Sequence, residues 1–280
     1  HGKEDRLLCH YCNFTARIPG HCVECHGAVI RFSGYGTQKL EEEVRKLFPD
    51  AQITRLDRDT PRGRDSFAAM HRNMNAGKID ILIGTQMITK GHDFPNVTLV
   101  GVVHADLSLN IPDFRSCERA FQLLTQVAGR AGRGEVPGKV IIQTNNPDHY
   151  MFEFVREHDV NAFHEKELKL RGQLNYPPFS RLIAVEIVSA NESLGKSTAE
   201  KLGRALAQQA IRQKGVEILG PSKAALYQIQ NKFRWHLILR GQNMQTLQGI
   251  LADSQELNEL KSASSGKFKL SIDVDPFNLL

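Results

Sequence analysis

Between residues 37 and 143 the apolar positions alternate between helical and strand spacing. Residues 37–48 predict a helix with Leu40, Val44 and Leu47 on one stripe, Thr37 as its cap and Pro49 as its stop. Glu41–Arg45 and Glu42–Lys46 add ion pairs in the better orientation. A short strand follows over 52–56, with Arg58-Asp59-Thr60 beyond its carboxyl end. Residues 64–76 form the next helix, stopped by Gly77. The apolar runs 79–84 (IDILIG), 97–103 (VTLVGVV) and 139–143 (KVIIQ) predict strands. Between the last two, 116–130 reads as a helix: Phe121, Leu124, Val127 and Ala128 recur at helical spacing behind Ser116 as N-cap. Strands separated by helices argue a parallel sheet with right-handed crossovers.

The pattern changes beyond residue 150. Residues 151–170 read as a helical connector, and Tyr176-Pro177-Pro178-Phe179 as a rigid boundary. After it come strand 181–188, helix 196–213, strands 216–219 and 234–239, helix 243–259 and strand 268–274. That β-α-β-β-α-β order is ferredoxin-like. The expected division is a cysteine-rich region over 1–32, an α/β domain over 33–150, a connector over 151–175 and an α+β domain over 176–280.

Composition narrows the classes only a little. A chain of 280 residues accommodates two domains, and 41% hydrophobic with 24% charged residues is ordinary for a globular protein. No apolar run approaches the ~18 residues of a membrane span, and no signal-peptide pattern is visible. A net charge of +5 permits a nucleic-acid partner without requiring one. The chain opens on His1 rather than Met, within two turns of a cysteine motif, so an upstream portion is expected.

Cys9-x-x-Cys12 and Cys22-x-x-Cys25 are two knuckles separated by nine residues. Four thiolates in two close pairs suit a tetrahedral structural zinc better than disulfides, since no secretory signal accompanies them. The connector is shorter than the ~15–20 residues usual for four-cysteine sites. His10, His21 and His26 are alternative ligands or plain surface residues. Cys117 sits on the 116–130 helix, where a small buried hydrophobe is expected.

The candidate chemistry lies in two stretches. Gln126-Val127-Ala128-Gly129-Arg130-Ala131-Gly132-Arg133 places two arginines three apart, on one helical face kept uncrowded by alanine and glycine. A fixed guanidinium fork suits a phosphoryl oxygen. The same residues are also consistent with a glycine-rich helix end carrying solvated arginines. The second stretch, Gly84-Thr85-Gln86-Met87-Ile88-Thr89-Lys90-Gly91-His92-Asp93-Phe94-Pro95, leaves the carboxyl end of a predicted strand, where open α/β sheets meet their ligands. Taken together, GTQMITKGHDFP and QVAGRAGR resemble motifs V and VI of superfamily 2 helicases. The TQM, KGHDFP and DFRS (Asp113 to Ser116) wording is similar to that of the PriA family of replication-restart helicases (primosomal protein N′) over nearly the whole chain.

The resemblance carries expectations. The fold it implies is the second RecA-like helicase lobe with a zinc-knuckle insertion, followed by a ferredoxin-like carboxy-terminal DNA-binding domain. The activity it implies is 3′ to 5′ translocation on DNA, driven by ATP and Mg2+ between two lobes, to restart stalled forks and start primosome assembly. The Walker A and DExH lobe of such a protein is absent from this chain, which alone is expected to be inactive. Arg130, Arg133 and Gln126 would be catalytic, and Gly91, Asp93, Gly129, Arg130 and Arg133 would meet nucleotide. Asp59 and Thr60 (in the TRLDRDT element, with Asp57), Thr85, Gln86, Lys90, Lys232 and Arg234 would meet DNA. Cys9, Cys12, Cys22 and Cys25 match the latter two of four family knuckles that bind two zincs as interleaved pairs. Implied partners are forked and single-stranded DNA, single-stranded DNA-binding protein and other primosome proteins, in a bacterial, nucleoid-associated, cytoplasmic setting with no membrane. Another superfamily 2 translocase of recombination or repair, or a non-catalytic zinc-dependent DNA-binding module, is the alternative.

Three further features are ambiguous by sequence. Asp106 ends an apolar strand like a magnesium-binding aspartate, but no acidic neighbour follows and a loop role is expected. Residues 190–197 (ANESLGKS) fit a relaxed Walker A pattern, yet Glu192 would put a carboxylate in the phosphate cradle. A βα turn capped by Ser193 or Ser197 is the expectation there. Lys223, Lys232, Arg234 and Arg240, with Tyr227, Phe233 and Trp235 between them, read equally as a stacking DNA face or as core aromatics among solvated cations.

Overall fold

In the computed structural model, the described residues are 6–8, 15–17, 19–21, 26–27, 36–56, 64–85, 94, 96–129, 137–263 and 266–279. The chain divides into two compact units. One, here the parallel unit, comprises Arg31–Asn110 and Ser116–His164; the other, the antiparallel unit, comprises His1–Ile30, Ile111–Arg115 and Glu165–Leu280. Residues 111–115 thus leave the expected 33–150 segment and belong to the antiparallel unit.

The antiparallel unit begins with β1 (Arg6–Leu8) and β2 (Thr15–Arg17), paired antiparallel with Leu8 opposite Thr15. The parallel unit then runs α1 (Thr37–Leu47), β3 (Ile53–Leu56), α2 (Arg64–Asn75), β4 (Ile81–Gly84) and β5 (Leu99–Val102). It continues with α3 (Asp106–Leu109), α4 (Ser116–Ala128), β6 (Lys139–Ile142) and α5 (Tyr150–Glu157). Parallel pairing holds within β3–β4 and within β5–β6, which form two separate pairs among the described residues. Leu56, Met70 and Phe94 close one small core, and Ala105, Ala120, Phe121, Leu124, Met151, Val155 and Phe163 close a second. Phe121 and Phe163 stack at 3.8 Å.

Several local expectations are corrected. Gly36, not Thr37, occupies the N-cap of α1 in extended backbone, because the Thr37 hydroxyl instead accepts from the Arg55 guanidinium at 3.4 Å. Lys46 pairs with Glu43 at 2.8 Å rather than with Glu42, while Glu41–Arg45 forms at 2.8 Å. Helix α4 starts at Ser116 itself rather than being capped by it. The connector is two helices, α5 and α6 (Val160–Gln173), because His158 takes a left-handed conformation at φ 54°. The Asp159 carboxylate then accepts the Ala162 N–H at 2.9 Å and starts α6.

The rest of the antiparallel unit is built from β7 (Arg181–Ser189), α7 (Glu192–Ala210), β8 (Glu217–Ile229) and β9 (Lys232–Gly241), followed by α8 (Met244–Ala252), α9 (Gln255–Ala263) and β10 (Lys269–Val274). The sheet order is β10-β7-β9-β8, antiparallel throughout. Alternate residues Ile183, Val185 and Ile187 of β7 and Trp235, Leu237 and Leu239 of β9 bury one sheet face against Leu202 and Leu206 of α7, Leu247 of α8 and Leu257 of α9. Each such side chain contributes about 1.5–3 kcal/mol of transfer free energy. The predicted helix 243–259 is broken at Asp253–Ser254, where the Ser254 hydroxyl accepts the Leu257 N–H at 3.2 Å and starts α9. Strand β8 runs ten residues past its expected end at Leu219 to Ile229, by way of register shifts at Leu219/Ser222 and Lys223/Gln228. Gly220 makes the first possible: at φ +98°, a Cβ would lie 2.7 Å from the His236 carbonyl oxygen. Gln230 and Asn231, at φ 50° and 60°, close the hairpin into β9. Among the described residues no helix is long and apolar enough to cross a membrane.

Candidate nucleotide and nucleic-acid sites

In the parallel unit the two motif stretches leave from well-anchored ends. Ile83 of β4 is buried, and Thr85 follows Gly84 as an exposed residue at the carboxyl end of the strand. Phe94, near the far end of the same stretch, is buried against Leu56 and Met70 and lies 5.3 Å from the His71 ring. Gln86, Lys90, Gly91 and Asp93 lie outside the described residues, as do Asp57, Asp59 and Thr60 after β3. Helix α4 turns Ala120, Phe121, Leu124 and Val127 inward, which leaves Gln126 exposed in its last turn. The Gly129 N–H still closes on the Thr125 carbonyl at 3.0 Å, so the helical course continues to the edge of the arginine pair. Arg130 and Arg133 themselves are outside the described residues, and so are Cys9, Cys12, Cys22 and Cys25.

Asp106 is the first residue of α3 rather than part of a loop. Its buried carboxylate accepts the Thr144 hydroxyl at 2.7 Å and the Asn145 N–H at 2.9 Å, tying the end of β5 to the end of β6. The Thr144 hydroxyl, with the Asn145 amide, holds the carboxyl below its ordinary range. Cys117 is partly buried, its Sγ 3.2 Å from the Tyr150 hydroxyl.

The Walker-like stretch is closed by its own helix. Asn191, not Ser193 or Ser197, caps α7: its side-chain Oδ1 accepts the Leu194 N–H at 3.0 Å. Asn191 wins the cap because its short amide reaches the first turn, while Ser197 donates to the Leu194 carbonyl at 3.1 Å. Lys196 faces Glu200 at 3.8 Å, and the Glu192 carboxylate accepts the Tyr227 hydroxyl at 2.6 Å. Burial and that carboxylate push the Tyr227 hydroxyl up to about 12.

The basic and aromatic residues of the antiparallel unit separate into two groups. Lys223 and Lys232 are exposed, and the Lys223 ammonium sits 4.2 Å above the Tyr227 ring, itself 5.5 Å from Phe233. Trp235 belongs to the core. Arg234 turns onto Glu186, with Nε at 2.6 Å and Nη2 at 2.5 Å from one carboxylate oxygen, which His236 Nε2 also approaches at 3.0 Å. Burial pushes the Glu186 carboxyl up, but His236 and the Arg234 charge outweigh it and hold the group below its ordinary range. Arg240 is likewise engaged, donating to Glu217 at 3.1 Å and to the Leu174 carbonyl at 2.9 Å. Asp113 and Arg115, which the sequence offers only as part of the DFRS wording, hydrogen-bond to residues 276–279.

Known proteins complete the picture. A model of the helicase conserved C-terminal domain matches residues 15–135, and one of the primosomal protein N C-terminal domain matches residues 172–277. The replication restart protein PriA of Bacillus subtilis is 40% identical over 280 residues, all of this chain and 34% of that protein. The chain belongs to the PriA family of replication restart proteins. PriA of Synechocystis is 41% identical over 98% of the chain and 32% of its own length, and PriA of Borreliella burgdorferi 34% identical over 100% and 41%. The chain therefore spans between about a third and two-fifths of these PriA relatives.

Proposed function

We propose that this chain supplies the second motor lobe and a DNA grip to a 3′ to 5′ ATP-dependent DNA helicase that restarts stalled forks and starts primosome assembly. The observation that carries the reading is α4. One face of it is buried, and the exposed Gln126 in its last turn and exposed Gly129 just after it precede Arg130 and Arg133 in the sequence, within the span of the helicase C-terminal match. Two guanidiniums held there would face the charge that develops on a transferring phosphoryl group of ATP·Mg2+. Thr85, at the end of β4, with Gln86 and Lys90 after it, would meet DNA phosphate.

The reading of residues 181–274 as a ferredoxin-like DNA-binding domain is supported by their β-α-β-β-α-α-β course, by the sheet order β10-β7-β9-β8 and by Lys223 and Lys232 beside Tyr227 and Phe233. Forked and single-stranded DNA, single-stranded DNA-binding protein and other primosome proteins are the partners this function calls for, in the bacterial cytoplasm at the nucleoid. Zinc fits the donor set. Cys9 and Cys12 are separated by two residues, and Cys22 and Cys25 repeat the spacing. Bound there, zinc supplies local folding energy and no chemistry.

The test compares the chain alone with the full-length protein. With forked DNA the chain alone should not turn over ATP, and the full-length protein should. DNA-stimulated turnover by the chain alone that survives Lys196→Ala and vanishes in Arg133→Ala would overturn the division of labour. Loss through Lys196→Ala would instead restore a phosphate site at 190–197. Metal analysis should find zinc, and Cys22→Ser should release it and loosen residues 1–30 while β3 to β10 keep their fold.

A further inference from the structure

Residues 111–115 stand immediately before α4 yet are built into the antiparallel unit. Asp113 is buried, and its two carboxylate oxygens hold two parts of the chain: Oδ1 accepts the Arg115 N–H at 2.8 Å, and Oδ2 accepts the Leu279 N–H at 3.0 Å. The Arg115 guanidinium donates from Nη1 to the carbonyls of Pro276 and Phe277, at 2.8 and 3.1 Å. It also lies 4.3 Å over the Phe114 ring. Phe114 in turn stacks on Tyr176, with centroids 5.1 Å apart and planes 6° from parallel. The tail is fixed to the sheet, since the Asp275 N–H closes on the Leu182 carbonyl of β7 at 2.9 Å and Asp275 pairs with Arg181.

This arrangement makes a continuous chain of restraint. It runs from β7 through residues 275–279 to Asp113 and Arg115, and Ser116, the first residue of α4, follows Arg115 in the covalent chain. The bonds involve a carboxylate and a guanidinium, the stronger class of hydrogen bond, and Asp113 is shielded from water.

We propose that Asp113 and Arg115 are positioning residues for the motif VI arginines, coupling DNA held by the antiparallel unit to ATP turnover. The inference rests on the helicase reading above. Neither residue touches nucleotide in this account; each acts by setting where α4 begins. Small misplacements of a catalytic group far from the altered residue cost up to a hundredfold in rate.

The experiment uses the full-length protein in four forms: wild type, Arg115→Ala, Asp113→Asn and a deletion of residues 277–280. The deletion removes the Phe277 and Leu279 partners, leaving the Pro276 carbonyl, without altering 111–115, which keeps the test valid if Arg115→Ala fails to fold. DNA-stimulated kcat should fall on the order of tenfold or more in each variant, while KM for ATP and DNA affinity stay within about twofold. Hydrogen exchange should show lost protection at Leu279 and in the first turn of α4. Intact stimulated turnover despite that lost protection overturns the inference. So does a parallel fall in kcat, DNA affinity and thermal midpoint, which would make the latch mere scaffold. A wild-type protein without DNA-stimulated turnover would instead sink the helicase reading on which the inference rests.

Discussion

The parallel and antiparallel units solve the same burial problem to different extents. In the antiparallel unit nine- and ten-residue central strands bury Ile183, Val185, Ile187, Leu237 and Leu239 completely. In the parallel unit the strands are four residues long, and Leu99 and Ile141 of β5 and β6 stand 58% and 51% exposed. The candidate nucleotide residues follow the ends of the short strands and of α4, and the antiparallel unit carries a fuller core. Loops that must move during turnover are drawn from the less stable part of a fold, and a strongly packed sheet is the better anchor.

The largest expected effect separates chemistry from grip. Arg133→Ala in the full-length protein should cut ATP turnover on the order of a thousandfold while DNA affinity stays near wild type. Arg133→Lys should not rescue it, since a point charge lacks the planar fork. Thr85→Ala and Lys90→Ala should weaken DNA stimulation instead. Full turnover with lost DNA affinity in Arg133→Ala would erase the distinction between the units.

A stability comparison comes next. Leu237→Ala opens a cavity in a fully buried layer and should cost about 2–5 kcal/mol, read as a shifted denaturant midpoint. Leu56→Ala, in a small cluster at 9% exposure, should fall at the lower end of that range. Equal losses would show that the two cores are equivalent.

The smallest effect is a pH dependence. Against burial, His236 and the Arg234 charge hold the Glu186 carboxyl below the usual carboxylate range, so its stabilisation is present above that range and is lost as pH falls through the folded value. Acid titration of wild type and Glu186→Gln should diverge by about 1 kcal/mol above pH ~4.5 and converge below it. An unchanged gap at low pH would mean that Arg234 and His236 are held by something other than that charge.

Much of the fold was legible because burial writes a period into the chain. Alternation over 181–188 and the helical stripe of Phe121, Leu124 and Val127 come directly from which side faces the core. Element ends were less legible. Thr37, Ser193 and Ser197 are good cap residues by type, yet Gly36 and Asn191 hold those positions, because a distant Arg55 claims one hydroxyl and a nearer amide reaches first in the other case. The breaks at His158 and Asp253 carry no glycine or proline that would announce them.

Arg234 marks the limit of reading cations from sequence. Its neighbours Lys232 and Trp235 suggest a DNA face, but strand register places it opposite Val188 and brings its guanidinium to Glu186, 48 residues away in the chain. The motif stretches 84–95 and 126–133, and the family they point to, were determined by the sequence alone, since local residue order is what phosphate chemistry needs. The partners of Asp113 and Arg115 were decided only by tertiary structure. Leu279 lies 166 residues from Asp113, and nothing local in either segment encodes the other. Such pairs exist because the sheet between β7 and β10 brings the end of the chain back to the loop before α4.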